Sequence, residues 1–411
     1  MRSDLDALMK KPKIDALLVT GPTQHNASMV YFTGLAHITN AYLFKKRGKA
    51  PLLIHPPMER DEAALTGLAL KSFNDYPVAG FQKEAAGNAA RLSALRLKKM
   101  LTDAGITKGS LALYGQNDIG SGWSIFSELQ KEMPELTLIG FPQDELLMQA
   151  MMTKEEDEIE RIRKMGRITT EVVAETADYL SSRKVKKGVL IKKNGDPLKI
   201  RDVKRKIDLW LAERGAENPE STIFAIGRDA GVPHSSGNPD DILKTGQTIV
   251  FDIFPCEAGG GYFYDFTRTW CIGYATDSAL KLYYDVRSAY QQVMSALKQN
   301  ALFSESQSLT CEIFHNQGHP TIREDINTEK GYVHSVGHGI GLRVHEKPWS
   351  GSNATATDRL LPGSVFTVEP GLYFPEDGMG VRLEDSVLAK ADGTFEILAP
   401  YPLDFVIPAR K

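Results

Sequence analysis

Apolar and polar positions change their spacing near residue 152. Ahead of it, short aliphatic or aromatic runs at residues 14–20, 41–44, 51–55 and 111–114 predict strands. Residues 60–70 and 83–103 carry apolar side chains every three or four positions and predict helices. Alternation of the two predicts an α/β domain. The basic run at residues 45–49 lies between two of the strands and reads as a solvated hairpin turn.

Beyond the boundary at residues 151–154 the pattern is different, which divides the chain into domains 1–152 and 153–411. Thr153 and Glu156 form a capping-box pattern ahead of Ile159, Ile162, Met165, Ile168 and Val172 at helical spacing. A lysine-rich stretch at 183–194, followed by Gly195-Asp196-Pro197, reads as an exposed loop or hairpin. Residues 199–214 and 277–299 predict amphipathic helices, with Gly215 stopping the first. From Gly331 onward strand patterns and glycine-rich turns take over.

Acidic residues stand inside several of these strands. Residues 248–254 and 262–271 flank a glycine-rich linker and predict a β-hairpin. With the turn centred on Ala258-Gly259, Glu257 faces Gly260 and Asp252 faces Asp265, with Cβ atoms about 4.5–5.5 Å apart. Aspartates opposed in this way destabilise a hairpin unless a cation lies between them. Glu384 sits in a strand at 381–389, whose two-residue period puts Arg382, Glu384 and Ser386 on one face. Glu369 closes the run 365–368 just before Pro370-Gly371, where the strand must break. Residues 333–348 hold His334, His338 and His345, three of the nine histidines. Their flanking glycines suggest a backbone passing close to a metal or a substrate. His234 is a further candidate.

Four carboxylates on one site repel, and without cations one or more would take up a proton. Two divalent ions would neutralise Asp252, Asp265, Glu369 and Glu384, with His338 completing a hard, oxygen-rich donor set that suits Mn, Co, Fe or Zn. Metals roughly 3.5–4 Å apart are a device for hydrolysing amide or phosphate bonds. The residues read as a dinuclear metallohydrolase.

Bulk properties narrow the field. The net charge of -3 argues against nucleic acid or an anionic membrane as the partner. The N-terminus has no apolar run able to act as a signal, and no stretch of about 18 apolar residues spans a membrane. Three cysteines without CxxC spacing argue against a disulfide framework and structural zinc, so a cytoplasmic protein is expected. A two-metal phosphoesterase lacks its phosphate-cradling loop.

In chain order, Asp252, Asp265-Phe266-Thr267-Arg268-Thr269, Gly337-His338-Gly339-Ile340-Gly341, Val368-Glu369-Pro370-Gly371 and Arg382-Leu383-Glu384-Asp385 resemble the motifs of the pita-bread metallopeptidases. These are the methionine aminopeptidases, aminopeptidase P and prolidase, with creatinase. The resemblance covers residue 153 to about 389. The first domain more loosely resembles the creatinase-type domain, with Val30-Tyr31-Phe32-Thr33-Gly34 similar to its Tyr-x-x-Gly strand end. Methionine aminopeptidases usually lack that domain, and creatinase lacks the ligands.

The resemblance implies an α/β creatinase-like N-terminal domain and an α+β pita-bread catalytic domain. It implies an Xaa-Pro dipeptidase or Xaa-Pro aminopeptidase acting on small peptides through a metal-bridging hydroxide, with two divalent ions, Mn or Co foremost, and a homodimer. Asp252 would bind one metal and His338 with Glu369 the other, bridged by Asp265 and Glu384. His234 and His345 would contact the scissile amide, and Glu369 would shuttle a proton. Tyr373 and Phe374 are candidates for a proline slot, and Arg382 or Arg343 for holding a free substrate carboxylate. The chain departs from the family at Ile253-Phe254, where Asp-x-Gly is usual. Its Asp252-to-Asp265 separation is two residues longer than usual, which is expected to reshape the substrate entrance. Alternatives are a related C–N hydrolase acting on a non-peptide such as an ectoine-type compound, and a non-catalytic binding relative.

Overall fold

Six strands of the N-terminal region form one mixed sheet, in the order Ala69–Ser72, Leu52–His55, Ala41–Lys46, Ala16–Gly21, Gly109–Gly115, Leu136–Ile139. The computed structural model describes residues 4–142 and 145–410. It divides into one unit of Met1–Met151 with Gly259–Gly261 and a second of Met152–Ala258 with Tyr262–Lys411. In the first, Leu18, Phe44, Ile54 and Leu111 of the sheet share a core with Leu97 and Leu101 of the helix Ala89–Asp103.

Four expectations for this unit change. Residues 60–70 are helical only over Arg60–Leu65, and Ala69 and Leu70 begin an edge strand paired with Leu52–His55. The helix expected at 83–103 breaks into Ala79–Ala85 and Ala89–Asp103 at Ala86 and Gly87, both in the left-handed region, and Asn88 caps the second piece. Residues Ala27–Thr33 form a helix ended by Gly34 at φ 63°, so Val30–Gly34 is no strand end. Lys45 is not solvated: it is buried, with Nζ bonded to Asp6 at 2.6 Å and to the Lys49 carbonyl at 2.8 Å.

In the second unit the first long helix is Glu156–Ser181. Its capping box is made by Glu155 and Glu158, not Thr153 and Glu156. The lysine-rich stretch is a hairpin, Lys184–Lys186 against Val189–Ile191, that turns at Lys187-Gly188. Helices Asp277–Ala296 and Phe303–Asn316 pack Val286, Val293 and Phe314 against Phe366, Val368, Leu383 and Val387.

That core supports two sheets. One runs Ile223–Ile226, Thr248–Ile253, Phe266–Ile272, Val406–Ile407, and the other Glu346–Trp349, His338–Gly339, Val365–Val368, Asp385–Ala389, Phe395–Ile397. A bridge between Thr267 and Glu384 joins them. Every acidic candidate stands at or beside this seam. No helix among the described residues is long and apolar enough to cross a membrane.

Candidate metal centre

The hairpin that carries Asp252 has a register different from the expected one. Asp252 pairs with Thr267, Cys256 with Phe263, and the Glu257 amide bonds the Tyr262 carbonyl. The turn therefore centres on Gly259-Gly260, at φ 89° and 76°. Glycine takes two consecutive positive φ values at no steric cost, which lets the chain reverse there. Asp265 thus lies diagonal to Asp252, just ahead of the strand Phe266–Ile272. Because the register moved by two, the two aspartates keep the same face.

Glu384 is not inside one continuous strand. It stands between Met379–Arg382 and Asp385–Ala389, where the chain passes from one pairing to another. Glu369 follows Val365–Val368 directly. His338 is held by its neighbours: its backbone N–H donates to Thr367 Oγ1 at 3.1 Å, and its ring Nδ1 donates to the Gly339 carbonyl at 3.0 Å. That bond fixes the ring's orientation and turns Nε2 towards the acids. The flanking glycines serve packing. A Cβ on Gly337 or Gly339 would overlap the Thr367 or Lys347 carbonyl, so the close approach is to neighbouring strands, not to a ligand.

These pieces converge on a cavity of about 380 Å³. One donor atom each from Asp265, His338 and Glu384 lies within 4.8 Å of the others. His338 Nε2 is 3.3 Å from Glu369 Oε1 and 3.6 Å from Asp265 Oδ2. Asp252 lines the same cavity. The acids disturb one another. Burial, then the Asp252 charge, raises Asp265 well above the usual carboxyl range; burial, then Asp265 and Glu369, does the same to Glu384. Burial would lower His338, but Glu369 and Asp265 outweigh it and hold it at about 9. Burial would raise Glu369, but His338 and His334 pull it down to about 2.

The decisive observation is a set of unpartnered oxygens. Asp252 Oδ1, Asp265 Oδ1 and Glu384 Oε1 are buried without a hydrogen-bond partner. Buried polar atoms are almost always paired, and three orphaned carboxylate oxygens on residues lining one cavity fit a divalent cation. The donor set, carboxylate oxygen with one imidazole nitrogen, is that of a hard or borderline metal.

A second layer orients the acids, and the Asp-x-Thr-Arg-Thr motif supplies much of it. Thr267 Oγ1 donates to Glu384 Oε2 at 2.6 Å, Thr269 is bonded to both the N–H and the carbonyl of Arg382, and Arg268 bonds Asp385 at 2.9 Å and the Glu384 carbonyl at 2.8 Å. The sequence displayed this motif but gave no role for its threonines.

Arg382 is buried against the cavity, and its guanidinium is engaged. It bonds Asp252 Oδ2, Thr267 Oγ1 at 3.2 Å, the Pro233 carbonyl at 3.2 Å and Tyr373 Oη at 2.7 Å. The expected role of a substrate-carboxylate clamp therefore gives way to that of a support for Asp252. Tyr373 is fully buried behind the wall, where its hydroxyl donates to His334 Nε2 at 2.8 Å, so it forms no proline slot. Apolar wall is supplied instead by Ile223, Phe254, Val344 and Trp349. Phe374 and Arg343 are not part of the lining. His234 and His345 are, both with exposed edges, and the rings of His345 and His338 are 4.3 Å apart. His334, named only as one of a histidine trio, also lines the cavity, with Nδ1 4.0 Å from Glu369.

Comparison with known proteins gives this geometry a family. Residues 160–391 match the model of metallopeptidase family M24, and residues 1–149 that of the creatinase/prolidase N-terminal domain. The chain is similar to the Xaa-Pro dipeptidase of Pyrococcus furiosus, at 24% identity over 397 residues, 96% of this chain and 97% of that one. Its fold is shared with a dipeptidase from Pyrococcus horikoshii OT3, at a TM-score of 0.74, 21% identity and 98% of both chains. It is shared also with an X-Pro aminopeptidase from Thermotoga maritima MSB8, at a TM-score of 0.73, 25% identity, 98% of this chain and all of that one. Over half of the chain falls within the family model, and a creatinase-type domain precedes a pita-bread catalytic domain: this protein belongs to metallopeptidase family M24 and is an enzyme of that family, which works with divalent metal ions.

Proposed function

We propose that this enzyme hydrolyses the peptide bond before proline and that its cavity holds two divalent cations, Mn or Co foremost. The observation that carries the metal reading is the trio of buried, unpartnered oxygens on Asp252, Asp265 and Glu384, beside the cluster that Asp265 and Glu384 form with His338. Support for the substrate comes from relatives named Xaa-Pro dipeptidase and X-Pro aminopeptidase. Asp252 would hold one ion and His338 with Glu369 the other, with Asp265 and Glu384 shared between them. When bound, such ions supply a water acidified towards neutrality and a Lewis acid for the scissile carbonyl.

The chain's own groups do the rest. Glu369 lines the cavity beside His338, where it can relay a proton from the attacking water to the departing proline nitrogen. His234 and His345, at the open side of the cavity, present ring nitrogens to the substrate carbonyl, where negative charge develops. Arg382 and Thr267 keep Asp252 and Glu384 aimed inwards. A prolyl amide has no N–H, so a wall of Ile223, Phe254, Val344 and Trp349 accepts its ring without leaving a donor unpaired.

The test is a product assay on Mn- or Co-loaded protein, with Xaa-Pro and Xaa-Pro-Yaa peptides, their leucine counterparts and a chelated control. Metal-dependent cleavage confined to the proline peptides is the expected result. Cleavage of neither by metal-replete protein would overturn the proline reading and leave a non-peptide C–N hydrolase in front.

A further inference from the structure

Resting on the prolyl-bond reading, the deeper question is which end of the substrate this cavity tolerates. An Xaa-Pro dipeptide carries a free carboxylate on the proline itself, a few ångströms beyond the scissile bond. Burying that charge is costly unless a cation meets it. In Xaa-Pro-Yaa the same point is a neutral amide, and the carboxylate lies one residue further out, roughly 3.3–3.6 Å of extended chain.

The wall offers no free arginine or lysine for that charge. Arg382 is the sole arginine or lysine among the described lining residues, and four of its hydrogen bonds go to Asp252, Thr267, the Pro233 carbonyl and Tyr373. Releasing it would strand Asp252. His334 is engaged at both nitrogens, donating to the Ser335 carbonyl at 2.7 Å and accepting from Tyr373. The one charged lining residue that is neither a proposed metal ligand nor bound to one is an acid, Glu220, exposed on the wall near Thr222 and Ile223. Asn353 and Ser236 add neutral polar groups suited to a peptide amide.

We propose that this cavity rejects a free carboxylate on the proline, so that the enzyme cleaves Xaa-Pro-Yaa and longer peptides in preference to Xaa-Pro dipeptides, and that Glu220 is the residue that sets this discrimination. The dipeptide loses twice: its carboxylate finds no free arginine or lysine and shares the cavity with a like charge.

The experiment compares kcat/KM of the Mn-loaded full chain on three substrates that share the same Xaa: the dipeptide Xaa-Pro, its amide Xaa-Pro-NH2, and the tripeptide Xaa-Pro-Yaa. The amide matches the dipeptide in shape and differs in charge. The expected result is that amide and tripeptide exceed the dipeptide by on the order of tenfold, the combined effect of an uncompensated carboxylate and a solvent-screened like charge. Glu220→Lys should shrink the amide-to-dipeptide ratio to within about threefold, and Glu220→Gln should fall between. The ratio cancels any change in the amount of active enzyme, and metal content of each variant checks the fold. A dipeptide cut as fast as its amide would overturn the proposal, and so would a ratio that Glu220→Lys leaves in place. Failure to cut all three would instead remove the prolyl-bond reading on which the proposal rests.

Discussion

Adjacent residues on one segment treat buried charge in opposite ways. Asp385 points away from the cavity and is complete: Arg268 bonds one oxygen at 2.9 Å, and the Tyr290 hydroxyl donates to the other at 2.5 Å. Glu384, its neighbour, points into the cavity and keeps one buried oxygen without a partner. The complete kind recurs elsewhere. Lys45 is paired with Asp6 in the N-terminal sheet, Lys347 with Asp358, and Lys154 with Glu346, the last two well inside the catalytic unit. Among the described residues, incomplete acids gather only around His338, in Asp252, Asp265 and Glu384. A protein able to satisfy charge in its core leaves three carboxylates unsatisfied in one place, and that difference marks the site where a ligand completes the structure.

The largest effect expected to divide the two kinds is on catalysis. Glu384→Gln should lower kcat/KM on a proline peptide by roughly 10³-fold or more, while the metal-free protein unfolds in denaturant no more easily than wild type, since the metal-free site already favours a neutral side chain there. Asp385→Asn should do the reverse. Stability should fall by about 3–5 kcal/mol as Arg268 loses its buried partner, read as a lower midpoint in the same titration. If both variants lost stability equally, the distinction between them would collapse.

Thr267→Val sharpens the comparison from the second layer. It removes the hydrogen bond to Glu384 and an acceptor for Arg382, and metal affinity should drop about 10–100-fold in a competition titration. The effect of pH is smaller and has a defined sign. His338 is raised from 6.5 to about 9, so its contribution to stability is complete below pH 6.5 and is lost as pH rises through 9. Asp265 and Glu384, also raised, act in the same direction, because their neutral forms suit the metal-free site. Chelated protein should therefore lose Tm between pH 6.5 and 9 while the metal-loaded protein loses less. Equal losses in both would contradict this account.

Much of the site was legible in sequence because its signals are local. Aspartates in β-rich runs, a glutamate against a proline, and a histidine among glycines each declare themselves within a few residues. Two-residue alternation put Arg382, Glu384 and Ser386 on one face; Arg382 and Glu384 line the cavity, Ser386 does not, and the strand breaks between Arg382 and Asp385. Partners distant in sequence were not legible. Arg382 looked available for a substrate, and only the fold brings Asp252 and Pro233 onto its guanidinium. Tyr373 looked like slot lining until His334 and Arg382 were seen to hold its hydroxyl. The hairpin slipped by two because three successive glycines offer more than one turn centre, and the even shift kept both aspartates on the same face. In the N-terminal unit, Val30–Thr33 is rich in strand-forming residues yet folds as a helix, as local propensity yields to context.

Metal stoichiometry tests the central claim most directly. The protein would be stripped with chelator, loaded with Mn2+, dialysed and analysed for metal per chain, beside Asp265→Asn and Glu384→Gln. The account predicts about two equivalents for wild type, as a two-metal site requires, with clear losses in both variants. Retention of no metal by folded wild-type protein, or equal retention by all three, would contradict it.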